Sequence, residues 1–214
     1  MIRYQSEPPK RRERWGISPK IYTDFNNIIS DANVDAVELL TPTPLHSDQI
    51  IKALNAGKHV SCQKPLTSSI SEAKRIRETV LKSKTLFRIT ENFLYYPPIL
   101  KAKELIDAGE IGEPSLIRIR TIRGKSPSEP IGDAERFVWR QDSGLNPGGN
   151  LYDDGWHKYA TAVSWLGKVE KLTSIVTKTD NFLDETPSTI IMKIADKDCL
   201  VTIDYSSAPE MPLR

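Results

Sequence analysis

Between residues 34 and 112 three short apolar runs alternate with three helical patterns, and this alternation narrows the fold more than any other feature. "VDAVELLT" (34–41), "KHVSCQ" (58–63) and "LFRITEN" (86–92) have the length of strands. "PLHSDQIIKALNAG" (44–57), "SISEAKRIRETVLKSK" (69–84) and "YPPILKAKELIDAGEIG" (96–112) carry helical signals: Gly57 and Gly109 where a helix stops, Ser69 three residues before Glu72, and proline at the start of the third. Strand and helix alternating at this spacing form βαβ units, and βαβ units build a parallel sheet. The first run lacks clean alternation, as expected of a strand buried on both faces. Ahead of it, "YTDFNNIISDA" (22–32) reads as a short helix with Asp24 near its start.

After about residue 113 the texture changes. "PSLIRIRTIRG" alternates apolar and basic residues like a half-exposed strand. A loop rich in Pro, Gly, Ser and Asp comes next (124–147), then a helical stretch, "GGNLYDDGWHKYATAVSWLG" (148–167), and three more strand-like runs, "VEKLTSIVTKT", "STIIMKIAD" and "CLVTIDYS". This part predicts an antiparallel sheet with one helix packed on it. The chain therefore reads as α/β to about residue 112 followed by α+β, with the two domains expected over residues 1–93 and 94–214.

Bulk properties remove several function classes. A net charge of +2 gives no general argument for nucleic acid. Lys10, Arg11, Arg12 and Arg14 form a basic arm, but Glu7 and Glu13 dilute it and no aromatic interleaving is present, so a solvated segment is the expectation. No apolar run approaches the roughly 20 residues of a membrane span, and the N-terminus lacks the apolar core of a secretory signal. Cys62 and Cys199 form no metal-type pair, so no metal is expected and reduced thiols in the cytoplasm are the default.

Three features can carry chemistry. "TPTPLH" (41–46) stands at the carboxyl end of a predicted parallel strand, the edge where open α/β sheets bind ligands. Thr41 and His46 there suit either a ligand site or an ordinary strand-to-helix turn. "QKP" (63–65) ends the next strand, and its Lys64 brings a positive charge and three donors to the same edge. In the 148–167 stretch, Asp153 and His157 are four apart on a helix and share a face, so the carboxylate can orient the imidazole as a general base; a helix cap with a satisfied histidine is the other reading.

Together these stretches, "VDAVELLTPTPLHSDQIIKALNAGKHVSCQKPL" first, then "ENFLYYP", "AGEIGEP", "FVWR" and "GGNLYDDGWH" in order, resemble the Gfo/Idh/MocA family, the relatives of glucose–fructose oxidoreductase and inositol dehydrogenase. The last resembles the family's Gly-Gly-x-x-x-Asp-x-Gly-x-His motif, and the likeness covers about residues 20 to 205. It implies a Rossmann-type parallel sheet, a substrate domain, an NAD or NADP cofactor and oxidation of a hydroxyl on a sugar, cyclitol or similar small polyhydroxylated substrate. By the same resemblance Lys64, Asp153 and His157 fall on catalytic positions: His157 takes the proton, Asp153 supports it, and Lys64 polarises the reacting oxygen. Thr41, Pro42, His46, Gln63, Lys64, Asn92, Trp139 and Arg140 fall where relatives approach the cofactor or border its cleft. A homo-oligomer through the C-terminal sheet is also expected.

Two departures stand out. Gln63 replaces the family's glutamate before Lys-Pro, which removes a negative charge beside Lys64. No Gly-x-Gly-x-x-Gly occurs in the 214 residues, so the pyrophosphate cradle is missing and the Rossmann-type sheet is expected to be incomplete, with the chain cut short at both ends. An inactive fragment or a non-enzymatic interaction module of the same lineage is the alternative expectation.

Overall fold

Asp24 caps the first helix, α1 (Phe25–Ser30), by accepting the Asn26 N–H at 2.7 Å. The chain then runs through β1 (Ala36–Leu39), a 3-10 turn (Thr43–Leu45), α2 (His46–Asn55), β2 (His59–Gln63), α3 (Ile70–Lys82), β3 (Phe87–Thr90), a second 3-10 turn (Phe93–Tyr95) and α4 (Pro97–Asp107). This computed structural model describes residues 16, 19–124, 142, 144–146, 149–177 and 187–208. The three strands form a parallel sheet in the order β1-β2-β3. Ser69 caps α3 through the Glu72 N–H, as its spacing predicts, while the Glu72 carboxylate is held by the Thr67 hydroxyl.

α2 and α3 pack against each other and close over Val37, Leu39, Val60 and Cys62, which with Ile50, Leu54 and Ile76 make the first core. The expectation that β1 is buried on both faces is corrected here. Val37 and Leu39 are buried but Ala36 and Glu38 are exposed, because both crossover helices lie on the same side.

The second lobe contains β4 (Leu116–Gly124), α5 (Gly149–Asp153), α6 (Gly155–Leu166), β5 (Val169–Val176), β6 (Ser188–Ile194) and β7 (Leu200–Ala208), with sheet order β4-β7-β6-β5. β5–β6 and β6–β7 are antiparallel, as predicted, but β4–β7 is parallel, so the sheet is mixed. The reason is topological. β4 leaves the sheet through helices rather than a hairpin, and a long crossover lets its neighbour run the same way. Ala162 and Leu166 of α6 pack on Ile190, Met192, Val201, Ile203 and Tyr205 to form the second core. Alternation in β6 and β7 turns these residues inward and leaves Ile191 and Leu200 exposed on the other face. Among the described residues, no helix is long and apolar enough to cross a membrane.

The helix predicted across residues 148–167 is broken. α5 ends at Asp153 and α6 restarts at Gly155, and the His157 N–H reaches back only three residues to the Asp154 carbonyl at 3.2 Å. Gly155 is needed at the break: a Cβ there would sit 2.9 Å from the Tyr159 hydroxyl oxygen and 3.0 Å from its ring carbons. That ring is pinned because its hydroxyl donates to the Leu151 carbonyl at 3.0 Å.

Candidate active site

The parallel register aligns the carboxyl ends of β1, β2 and β3, so Thr41, Lys64 and Glu91 emerge along one edge. Parallel strands deliver successive loops to the same end of the sheet, which is why ligand sites collect there. The second lobe reaches this edge through α5 and α6.

Lys64 is drawn inward. Its Nζ donates to the Asp153 carbonyl and to Asp153 Oδ1, both at 2.7 Å, and the two side chains are only 12% and 13% exposed. Before it, Gln63 folds back so that its Oε1 accepts the Lys64 backbone N–H at 2.8 Å. Gln63 thus shapes the turn with an amide oxygen, a contact that needs no carboxylate charge.

His157 is 8% exposed and meets a different carboxylate. Its Nδ1 lies 2.7 Å from Glu91 Oε1, and its ring stacks on Phe93 with centroids 4.0 Å apart and planes 12° from parallel. The reading of Asp153 as the support of His157 through a continuous helix is therefore revised. The pairs that form are Lys64–Asp153 and Glu91–His157, because each side chain meets a partner carried by the parallel-sheet lobe. Glu91 is the residue of this cluster that sequence reasoning passed over. Its only signal was its place as the first residue past a strand at the ligand-binding edge. Asp154 acts as a brace: its Oδ2 accepts from Lys158 at 2.6 Å and from the Tyr205 hydroxyl at 3.1 Å.

His46 is also revised. It is 1% exposed, and both ring nitrogens face backbone carbonyls: Nδ1 the Pro65 oxygen at 2.9 Å, Nε2 the Thr41 oxygen at 2.7 Å. It ties the loop after β1 to the loop after β2, behind the surface a ligand meets. The Thr41 hydroxyl donates to Gln49 Oε1 at 2.6 Å, and Pro42 is buried at the head of the 3-10 turn. Asn92 is exposed and lines an open cleft with Phe93, Tyr95, Tyr96 and Pro97. Trp139, Arg140 and Gly148 lie outside the described residues.

Neighbouring ionisable groups are held in their neutral forms. Burial pushes the Tyr152 hydroxyl up to about 12, with the Thr67 backbone working against it and the Glu72 and Asp153 carboxylates adding to it. Burial likewise pushes the Cys62 thiol up to about 12, which leaves it a poor nucleophile although it lies in the strand leading to Lys64. Among the described residues no group of three His, Cys, Asp or Glu side chains is placed to hold a metal ion. The edge thus offers one largely enclosed ammonium, one imidazole backed by a carboxylate, and an aromatic cleft beside them.

Comparison with known proteins bears on the family and the fold. Residues 3–90 match the oxidoreductase family with an NAD-binding Rossmann fold, and residues 99–212 match the GFO/IDH/MocA C-terminal domain. Among curated relatives, the scyllo-inositol 2-dehydrogenase (NAD(+)) of Bacillus subtilis is 37% identical over 164 residues, covering 76% of this chain and 42% of that protein. The levoglucosan dehydrogenase of Pseudarthrobacter phenanthrenivorans is 26% identical over 192 residues, covering 89% of this chain and 46% of that protein. The chain thus spans about half the length of these relatives. An oxidoreductase of Thermotoga maritima superposes with a TM-score of 0.80 at 26% identity, over 95% of this chain and 61% of that one. The apo scyllo-inositol dehydrogenase of Lactobacillus casei shares the fold, with a TM-score of 0.72 at 24% identity over 95% of this chain and 60% of that one. With both of its parts matched in order, this chain belongs to the Gfo/Idh/MocA family of oxidoreductases.

Proposed function

We propose that the chain carries the catalytic edge of an NAD(P)-dependent dehydrogenase that oxidises a hydroxyl on a cyclitol, sugar or related polyol. The observation that carries this reading is the meeting of a largely enclosed ammonium (Lys64) and a carboxylate-backed imidazole (His157) at the carboxyl edge of a parallel sheet. The nicotinamide end of the cofactor fits this edge: Thr41, Pro42, Gln63, Lys64 and Asn92 border it, and Lys64 is a donor that can face an oxygen between substrate and ring. The Gly-x-Gly-x-x-Gly cradle for the pyrophosphate is not part of the sequence, so these residues answer for the nicotinamide end alone. A bound nicotinamide supplies the hydride acceptor.

In this mechanism Lys64 donates a hydrogen bond to the reacting oxygen and stabilises its developing negative charge. His157 takes the hydroxyl proton at Nε2, which has no hydrogen-bond partner among the described residues, while Nδ1 stays on Glu91. Asp153 fixes the Lys64 ammonium at a set depth. Trp139 and Arg140 would border the same cleft by family resemblance. Polyol substrates are favoured because the inositol and levoglucosan dehydrogenases are among the relatives.

The test is a titration of NADH and NADPH into the purified chain, read by nicotinamide fluorescence, followed by oxidation of myo- and scyllo-inositol. We expect micromolar binding of one nucleotide and polyol-dependent reduction of its oxidised form. A folded chain that binds neither would sink this reading in favour of a non-catalytic module of the same lineage.

We also place the protein in a reducing cytoplasm, on its two buried free thiols. A second copy is proposed to cover the outer sheet face, where Ile175 is 77% exposed and Leu116 59% exposed. A dimeric or larger mass by light scattering is expected, and a strictly monomeric mass would refute it.

A further inference from the structure

We infer that Glu91 is the positioning residue of His157: its carboxylate holds the neutral ring with the proton on Nδ1 and leaves the Nε2 lone pair facing the substrate. This deepens, and rests on, the reading of His157 as the proton acceptor.

Two contacts fix the ring completely. Stacking on Phe93 at 4.0 Å and 12° sets the plane of the imidazole. The bond from Nδ1 to Glu91 sets its rotation within that plane. Both come from one short segment, because Glu91 Oε1 also accepts the Phe93 backbone N–H at 2.9 Å. That second contact decides the proton's place. A backbone N–H only donates, so Oε1 is acting as an acceptor, and a ring nitrogen 2.7 Å from such an oxygen is the one that bears hydrogen.

Charge accounting points the same way. Among the described residues, the other charged groups of the site are matched: Lys64 with Asp153 at 2.7 Å, and Lys158, which lies 5.4 Å from the Phe93 ring centroid, with Asp154 at 2.6 Å. Glu91 is 8% exposed, and its ion-pair partner among the described residues is His157. Its Oε2 is buried with no hydrogen-bond partner there. A buried carboxylate left in this state favours a positive charge beside it. When His157 accepts the substrate proton at Nε2, the resulting imidazolium meets that need, and the proton on Nδ1 stays where it was. Glu91 touches neither substrate nor cofactor in this scheme and acts through the ring.

The test uses the 15N-labelled 214-residue chain, whose three histidines give a simple spectrum in long-range proton–nitrogen correlation. The His157 signal is assigned by its loss in His157→Asn. We expect wild-type His157, in its neutral form, to show a protonated Nδ1 and a bare Nε2. In Glu91→Leu this preference is lost, and kcat for polyol oxidation falls about 100-fold while KM changes less than about threefold. Should Glu91→Leu not fold, Glu91→Gln keeps the shape and an acceptor oxygen. It should retain the Nδ1–H form yet lose about tenfold or more in kcat, because the charge is gone. A wild-type ring protonated on Nε2 overturns the inference, as does either variant with kcat within about threefold of wild type. If the tautomer and its loss in Glu91→Leu are seen but the protein oxidises no polyol, the dehydrogenase reading falls and the positioning of the ring by Glu91 stands.

Discussion

Replacing His157 with asparagine is expected to lower kcat for polyol oxidation by about 10²- to 10⁴-fold, the usual worth of a positioned general base, with KM nearly unchanged. The substrate hydroxyl then has to release its proton to water, while Lys64 still holds the oxygen. The variant also removes the ring that stacks on Phe93 and leaves Glu91 buried beside a shorter amide. A loss of about 1–3 kcal/mol in stability should accompany the kinetic effect, the scale of an unsatisfied buried polar group. Initial rates of nicotinamide reduction and a urea melt measure the two effects separately. A folded His157→Asn protein within about threefold of wild-type kcat would remove His157 from the proton-transfer step.

Lys64→Met should be costly twice over. The methionine fills much of the lysine's volume but leaves the Asp153 carboxylate, 13% exposed, without its ammonium. Breaking a fully buried pair costs about 3–5 kcal/mol. Here both side chains keep some contact with solvent and Asp153 has further partners, so about 1–3 kcal/mol is expected. Lys64→Met combined with Asp153→Asn should recover part of that loss, the mark of a true pairwise coupling. Activity should fall by about 100-fold or more, since the donor to the developing oxyanion is gone. Equal urea midpoints for wild type and Lys64→Met would show the pair to be energetically silent.

Local periodicity was enough to read the βαβ run. The helices around Ile50 and Ile76 and the strands around Val37, Val60 and Ile89 fall where spacing and caps place them, because period and capping are properties of neighbouring residues. What local pattern cannot carry is pairing across long separations. The parallel β4–β7 pair joins strands that begin at Leu116 and Leu200, and nothing in either strand states its partner's direction. Lys64 and His157 stand out as candidates by strand-end position and spacing, and the roles proposed for them come from motif resemblance. Glu91 does not, since it reads as the tail of a strand until the fold brings it to a residue 66 positions away. His46 shows the reverse error. Its place at a ligand-binding edge suggests a ligand contact, but its two nitrogens are taken by the Thr41 and Pro65 carbonyls. The continuous helix failed because the interruption at Asp154 is one residue long and keeps helical dihedrals there, so it leaves the apolar spacing intact.

The two ion pairs that define the site also run between the lobes: Lys64 and Glu91 belong to the parallel-sheet lobe, Asp153 and His157 to the helices of the other. The fasteners are therefore the tools. A swing that widened the gap would separate the ammonium from Asp153 and the imidazole from Glu91 before disturbing either core. Contact between the lobes is thus a condition of the arrangement itself, and the open aromatic cleft at Asn92 and Tyr95 lies beside it.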